Sequence, residues 1–205
     1  MTPAALETLI RNRFNALNDT FFSSSEIESY IWSAELELAT ELDLIEDSST
    51  DTTVADQRNY NFPTNAYKIK AVNVDDESLK RISLKVGQDA EIWDDASSGT
   101  PDAFYEWNEV IYLDPPPDTA GQDIDIYYYE LPTDPSVSGT LDLPAELHQR
   151  LANKVLADMY GKDQNSSMAA YYTKMWEGVD KPAIRSWKQR KKRGDRFQSV
   201  RITNE

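Results

Sequence analysis

Near the N terminus, hydrophobic residues recur at helical spacing. In residues 3–18 they follow one another at steps of four and three, which places them on one face of a helix. A second helix is predicted over residues 25–42, because Ser23-x-x-Glu26 and Ser25-x-x-Glu28 both fit a capping box at its start. The residues expected on the buried faces are Leu6, Ile10, Phe14 and Leu17 in the first helix, and Ile27, Tyr30, Ile31, Ala34, Leu38 and Leu42 in the second.

From residue 54 to residue 129 the hydrophobic period changes to about two, which is typical of strands. Asn108-Glu109 separates two short hydrophobic runs and predicts a hairpin turn. The uniformly polar residues 47–52 are expected to form a loop, and residues 87–95 fit either a loop or one helical turn. The predicted strands cover residues 54–62, 67–74, 79–86, 104–107, 110–113 and 124–128.

Two more helices are predicted, over residues 145–160 and 167–177, with Gly161 and Gly178 as their stops. Helices at both ends of a strand-rich middle indicate an α+β fold in which a helical bundle carries an inserted antiparallel β-rich subdomain and an extended C-terminal arm. The expected domains are residues 1–46 with 141–180 for the bundle, 47–140 for the β-rich insertion, and 181–205 for the basic arm.

The net charge of −15 is unevenly distributed. Residues 181–205 contain nine Lys or Arg against two Asp or Glu, a net charge of +7, whereas the other residues carry −22. This asymmetry predicts an interaction arm that becomes ordered against a partner. The residues expected to dock it are Trp187, Arg190, Lys191, Lys192, Arg193, Arg196, Phe197, Val200 and Ile202.

Residue types exclude several kinds of chemistry. The sequence has no Cys and a single histidine, His148, so neither a thiolate site nor a zinc site is expected, and His148 is interpreted as a flanking or interface residue. The glycines are too far apart for a phosphate-binding loop. Asp123 and Asp125 share one face of a strand, where they form either a calcium ligand pair or a solvated surface. No signal peptide and no membrane-spanning stretch is predicted.

Aromatic residues on the predicted strands have two interpretations. They belong to the core and to subunit contacts, or they form a platform for sugars, as in a carbohydrate-binding or carbohydrate-hydrolysing module. The basic arm has an alternative function of its own, nucleic-acid binding, although the acidic body would repel a polyanion. The residues proposed for subunit contacts are Tyr105, Trp107, Tyr127 and Tyr129.

Taken together, several segments resemble the head-to-tail adaptor (connector) proteins of tailed bacteriophages. The resemblance covers most of the chain and depends on element order and a diffuse pattern. It is carried by Phe62-Pro63-x-x-x-Tyr67-x-Ile69-x-x-Val72, Pro101-x-x-Phe104-Tyr105, Ile111-Tyr112-Leu113-Asp114-Pro115-x-Pro117, Ile124-x-Ile126-x-Tyr128-Tyr129, Leu143-Pro144-Ala145-Glu146-Leu147-His148 and Ala169-x-Tyr171-Tyr172-x-x-Met175-Trp176.

The resemblance implies a non-enzymatic structural protein of the virion neck, without a cofactor, assembled in the host cytoplasm. It implies a ring of identical subunits, typically twelve, that surrounds the DNA channel without sequence-specific contact. Its partners would be the portal protein, reached by the C-terminal arm, and a tail or head-closure protein on the other side. A head-closure or tail-completion protein is the nearest alternative role.

Overall fold

A computed structural model describes residues 1–15, 21–83 and 97–199. The chain is an α+β protein with two compact units. The helical unit consists of Met1–Ile45 and Pro132–Glu205, and the β unit of Glu46–Leu131. Residues 132–140, which the sequence assigned to the β-rich insertion, therefore belong with the helices. Their attachment includes a hydrogen bond from the Trp32 indole Nε1 to the carbonyl of Pro132, at 3.2 Å.

The first two helices, α1 (Pro3–Phe14) and α2 (Ser24–Leu42), begin at side-chain caps. Ser23 Oγ accepts a hydrogen bond from the Glu26 backbone N–H at 3.2 Å, so the earlier of the two candidate capping boxes supplies the cap. Helix α1 ends sooner than predicted because Asn15 adopts a left-handed conformation with φ 61° and closes it.

The C-terminal helices are more continuous than the sequence suggested. They are α3 (Pro135–Ser138), α4 (His148–Lys162), α5 (Ser166–Met175), a π-helical turn (Trp176–Asp180) and α6 (Lys181–Ser199). Gly161 lies inside α4 and Gly178 inside the π turn, so neither glycine is a helix stop.

The extended arm predicted from residue 181 is also wrong for Lys181–Ser199, which are helical. Lys, Arg and Gln are good helix formers. In addition, Ile184 is fully buried and Trp187 packs against the helical core, so the first turns of α6 are held by the bundle.

The β unit contains β1 (Glu46–Thr52), β2 (Asn59–Asn61), β3 (Ala66–Val74), β4 (Glu77–Ser78), β5 (Lys80–Arg81), β6 (Ala103–Trp107), β7 (Val110–Asp114) and β8 (Asp123–Glu130). They form two four-stranded sheets, ordered β1-β8-β3-β4 and β2-β7-β6-β5. All pairs are antiparallel except β5 with β6. Buried residues of both sheets share one core, among them Ile69, Ile111, Leu113 and Ile126.

Three predictions for the β unit need correction. Of the strand predicted over residues 79–86, Lys80–Arg81 alone is a strand among the described residues, and residues 84–86 lie outside them. The polar residues 47–52 are not a loop but most of β1, an edge strand that pairs with β8 over its whole length, from Glu46 opposite Tyr129 to Thr52 opposite Asp123. Of the strand predicted over residues 54–62, Asn59–Asn61 alone is extended and paired. The segment 87–95 lies outside the described residues.

The helical core is built at the predicted spacings. Leu6 and Ile10 of α1 and Ile27, Ile31 and Leu38 of α2 are fully buried. They meet the apolar face of α4 and the π turn, which contribute Leu151, Val155, Leu156, Met159 and Trp176.

Candidate functional site

The basic helix α6 is fixed to α2 at its first residue. Lys181 is 7% exposed, and its Nζ donates to three carboxylates. They are Glu37 Oε1 at 2.6 Å, Glu41 Oε2 at 2.9 Å and Glu177 Oε1 at 3.0 Å. Glu37 also accepts from the Trp176 indole Nε1 at 3.2 Å. The cluster therefore joins α2, the π turn and the start of α6.

The ionisation of this cluster follows from its geometry. Burial by itself would lower the pKa of Lys181, but its hydrogen bonds to Glu37, Glu41 and Glu177 outweigh that effect and raise the pKa above its usual value. The hydrogen bond from Lys181 lowers the pKa of Glu41, against the opposing effect of partial burial, and Arg185 adds to the lowering. Lys181 and Glu41 are therefore charged at neutral pH.

One and two turns further along α6, two more basic side chains are also occupied within the unit. Arg185 pairs with Glu41, and Lys188 Nζ donates to the carbonyl oxygens of Leu42 and Asp43, the latter at 3.0 Å. These carbonyls terminate α2, where the helix dipole is negative, so a lysine there is favourable. Lys181, Arg185 and Lys188 thus hold α6 in place and are not available to a partner.

Beyond Lys188, the helix presents free positive charge. Arg190, Lys191 and Lys192 are exposed. Lys191 Nζ lies 5.4 Å from the centre of the Trp187 ring, a cation–π distance. Trp187, Arg190 and Lys191 line a shallow surface depression together with Pro144 and Glu146. This part of α6 is the accessible portion of the predicted docking set.

The rest of that set is less fully described. Arg193, Arg196 and Phe197 lie on the last turns of α6, and nothing further is described of their side chains. Val200 and Ile202 lie outside the described residues. Their part in the docking set stays a prediction.

The four aromatic residues proposed for subunit contacts divide into two pairs. Trp107 is 55% exposed and Tyr127 is 40% exposed, so both offer surface to a partner. Tyr105 is 1% exposed, with its ring stacked on Tyr112 at 4.9 Å, and Tyr129 is 7% exposed. Tyr105 and Tyr129 are covered within the β unit and leave little surface for a partner.

Trp107 stands at the end of the β6–β7 hairpin. The turn residues Asn108 and Glu109 have positive φ of 50° and 60°, as a two-residue type I′ hairpin requires. A depression lined by this turn and by residues 61–66 lies beside it. The predicted hairpin is therefore confirmed, and its tip presents a large aromatic side chain.

Sequence reasoning missed a buried acidic group in the helical unit. Glu35 on α2 is fully buried, and its Oε1 accepts from the Leu143 backbone N–H at 3.4 Å. Its Oε2 has no hydrogen-bond partner among the described residues. Burial raises the pKa of Glu35 to about 7, partly offset by backbone hydrogen bonds. Position 35 lies four residues after Ile31 and three before Leu38, so helical spacing does place it on the buried face.

His148 is buried as well, at 4% exposure, and is not a flanking or interface residue. Its Nε2 lies 2.5 Å from the carbonyl oxygen of Leu143, and its Nδ1 lies 3.0 Å from the backbone nitrogen of Met1. Glu35 therefore contacts the backbone N–H of Leu143, and His148 contacts its carbonyl oxygen. These contacts fix the segment that leads into α4.

The acidic clusters are solvated turns and strand faces. Asp75 and Asp76 form a tight turn with φ of 52° and 67°. Asp123 is exposed, and Asp125 accepts from the Thr50 hydroxyl at 2.9 Å. Across residues 1–15, 21–83 and 97–199, no group of three or more His, Asp or Glu side chains is placed to hold a metal ion. In the same residues, no helix is long and apolar enough to cross a membrane.

A protein-family model described as SU10 adaptor protein matches residues 1–201. No curated protein matches the chain.

Proposed function

The chain belongs to the SU10 adaptor protein family, and from this premise we propose that it forms a ring between the portal and the tail of a phage particle. As a phage adaptor it is a structural component of the virion and interacts with other phage structural proteins. The ring of identical subunits, typically twelve, would lie in the neck and surround the DNA channel. Family membership over nearly the whole chain is the observation that carries this proposal.

The anchored helix α6 supports a docking role toward the portal. Its first turns are held by Lys181, Arg185 and Lys188, whereas Arg190 to Lys192 extend past the last of these contacts and are exposed. A preformed helix loses less conformational entropy on binding than a flexible arm does. The docking surface would therefore be a rigid basic helix that meets an acidic surface on the portal protein.

The distribution of charge supports passage of DNA without tight binding. Outside the basic C-terminal segment the chain carries −22. An acidic surface toward the channel repels the phosphate backbone, so genomic DNA would slide through the ring without sequence-specific contact. Trp107 and Tyr127 would contribute to contacts with neighbouring proteins on the β unit, since both are exposed aromatic side chains.

Removing the accessible half of α6 tests the docking role. A truncation that ends at Gln189 keeps the anchoring residues and is expected to stay folded but lose binding to the portal protein in co-sedimentation. The double variant K191Q/K192Q should weaken that binding at low salt, with a smaller effect at high salt. The control K68Q/K80Q removes the same charge from exposed sites of the β unit and should bind normally. Undiminished portal binding by the truncation would contradict the docking role.

A further inference from the structure

Helix α5 has an unusual composition for a helix that is largely uncovered. None of its ten residues is buried. It contains no Asp or Glu, although the chain has 36 of them in 205 residues. Six of its residues are apolar or aromatic, namely Met168, Ala169, Ala170, Tyr171, Tyr172 and Met175.

One side of α5 is used within the helical unit. Tyr172 stacks on Tyr160 of α4, with ring centres 5.5 Å apart and planes 7° from parallel. Tyr171 meets the edge of Tyr172 at 5.1 Å. These contacts account for the half-buried side of the helix and leave its outer side uncovered.

The outer side continues into the π turn as one apolar stripe. Tyr171, Met175 and Val179 follow one another at steps of four residues along the continuous helix. Tyr171 and Val179 are exposed, and Met175 between them is half-buried. Tyr171 is 54% exposed and Val179 is 49% exposed. Beside them, Ala170 and Gly178 are small, and a side chain added at Gly178 would meet nothing within 4 Å. A second helix can approach such a surface closely.

The charge of the protein indicates what covers this stripe. Two copies of a chain with net charge −15 repel each other wherever their acidic surfaces meet. Helix α5 carries one charged residue, Lys174. In the π turn, Asp180 is buried and pairs with Arg150 at 3.1 Å, and Glu177 pairs at 3.0 Å with Lys181, which it shares with two other glutamates. A second copy can therefore approach α5 with less like-charge repulsion than it meets over the acidic surfaces of the chain.

We propose that the outer side of α5 and the π turn is covered by a second copy of the chain. This inference rests on the proposed ring and names one of its contact surfaces. In a closed ring of identical subunits the contact is head-to-tail, so the neighbouring copy contributes a different surface from the one it covers. Tyr171 and Val179 are the apolar anchors of the contact.

The test compares variants that add a charge to the stripe with a matched change elsewhere. Y171D and V179D place carboxylates on the proposed contact. V54D is the control, since Val54 is a valine of the β unit with nearly the same exposure, 50%. The mass of each protein in solution is measured over a range of concentrations, alone and with the portal protein, and thermal unfolding verifies that each variant is folded.

The inference predicts that Y171D and V179D raise the concentration needed for assembly by at least about tenfold, while V54D assembles as the unaltered protein does. Folded variants that assemble normally would overturn the inference without contradicting the proposed ring. Variants that assemble normally but no longer bind the portal would also overturn it, since the stripe would then be a portal contact. An unaltered protein that never assembles would contradict the proposed ring itself and the inference with it.

The chain has no cysteine, which permits an independent measurement. A single cysteine at Ala170 should react with a bulky maleimide at least about tenfold more slowly in the assembled protein than in the dissociated subunit, because the neighbouring copy covers it. A single cysteine at the exposed residue Ser136 is the comparison and should react equally in both. Equal reaction of the cysteine at Ala170 in both forms would contradict the contact.

Discussion

The Nζ of Lys181 lies 2.6 Å from Oε1 of Glu37, and this ion pair joins the first residue of α6 to the last third of α2. The lysine side chain is 9% exposed, while the glutamate keeps 32% of its surface. The pair lies at the edge of the helical core, where Trp176 packs beside it with its ring centre 5.8 Å from Nζ. The direction of the proposed docking helix is therefore set by a buried cation.

Replacing Lys181 by methionine should destabilise the helical unit by about 2–4 kcal/mol. The substitution leaves Glu37, Glu41 and Glu177 together without their shared cation, and unpairing a buried charge costs about 3–5 kcal/mol when the partner is fully buried. A lower value is expected because the glutamates are partly exposed. Chemical denaturation measures the free energy of unfolding, and K192M, on an exposed residue of the same helix, is the control. A loss below about 0.5 kcal/mol for K181M would contradict a structural role of the cluster.

The buried carboxyl of Glu35 should make stability depend on pH. Burial raises its pKa to about 7 in the folded protein from 4.5, the usual value, so the folded state holds this proton more tightly than the unfolded chain does. The contribution of Glu35 to the free energy of unfolding is therefore constant below about pH 4.5. It becomes less favourable as the pH rises from 4.5 to 7, and it levels off above 7. This difference between the two pKa values corresponds to about 3 kcal/mol in the free energy of unfolding.

Glutamine at position 35 removes this dependence, since it keeps the shape of the side chain and cannot ionise. The difference in unfolding free energy between E35Q and the unaltered protein should shift in favour of the variant by about 3 kcal/mol from pH 4.5 to pH 8. Denaturation curves at several pH values measure the difference. E146Q, on an exposed glutamate of the same unit, should show no such shift. A difference independent of pH would mean that burial does not raise the pKa of the Glu35 carboxyl.

The β6–β7 hairpin can be stabilised by a single substitution. Glu109 has φ 60°, a left-handed conformation that glycine adopts without a steric cost. Asn-Gly is also the preferred pair for this turn type. Glu109→Gly should raise the free energy of unfolding by about 0.5–1 kcal/mol, whereas Glu109→Ala, which keeps a side chain at the strained position, should give no gain. Equal stabilities of the two variants would argue against the type I′ turn.

The elements that could be predicted from the sequence are those with a buried face. Ile31 and Leu38 in α2, and Ile124 and Ile126 in β8, recur at the period of their element because each is buried against the core. The β6–β7 hairpin could be predicted equally well, because Asn108-Glu109 separates two hydrophobic runs. Local spacing and turn chemistry were sufficient in these places.

The polar strand β1 could not be found in this way. Its burial pattern has one half-buried residue among exposed ones, so neither face gives a hydrophobic period. Its strand conformation comes from backbone pairing with β8, which is distant in sequence. Long-range pairing of this kind leaves no local signal.

The anchoring of α6 was missed for a related reason. Lys181, Arg185 and Lys188 were counted with the basic arm, because composition does not distinguish a paired lysine from a free one. Their partners are Glu37, Glu41 and the carbonyls at the end of α2, which are near only in the folded chain. The predicted docking set includes none of these three anchoring residues, and it stays a prediction.

The most direct test of the adaptor account is the mass of the purified protein in solution, alone and mixed with the portal protein. The account predicts a closed ring with a mass that is a fixed multiple of the 23.4 kDa subunit, formed alone or on addition of the portal. If the portal is required, the truncation that ends at Gln189 should fail to form the ring. A strict monomer that is indifferent to the portal protein would contradict the account.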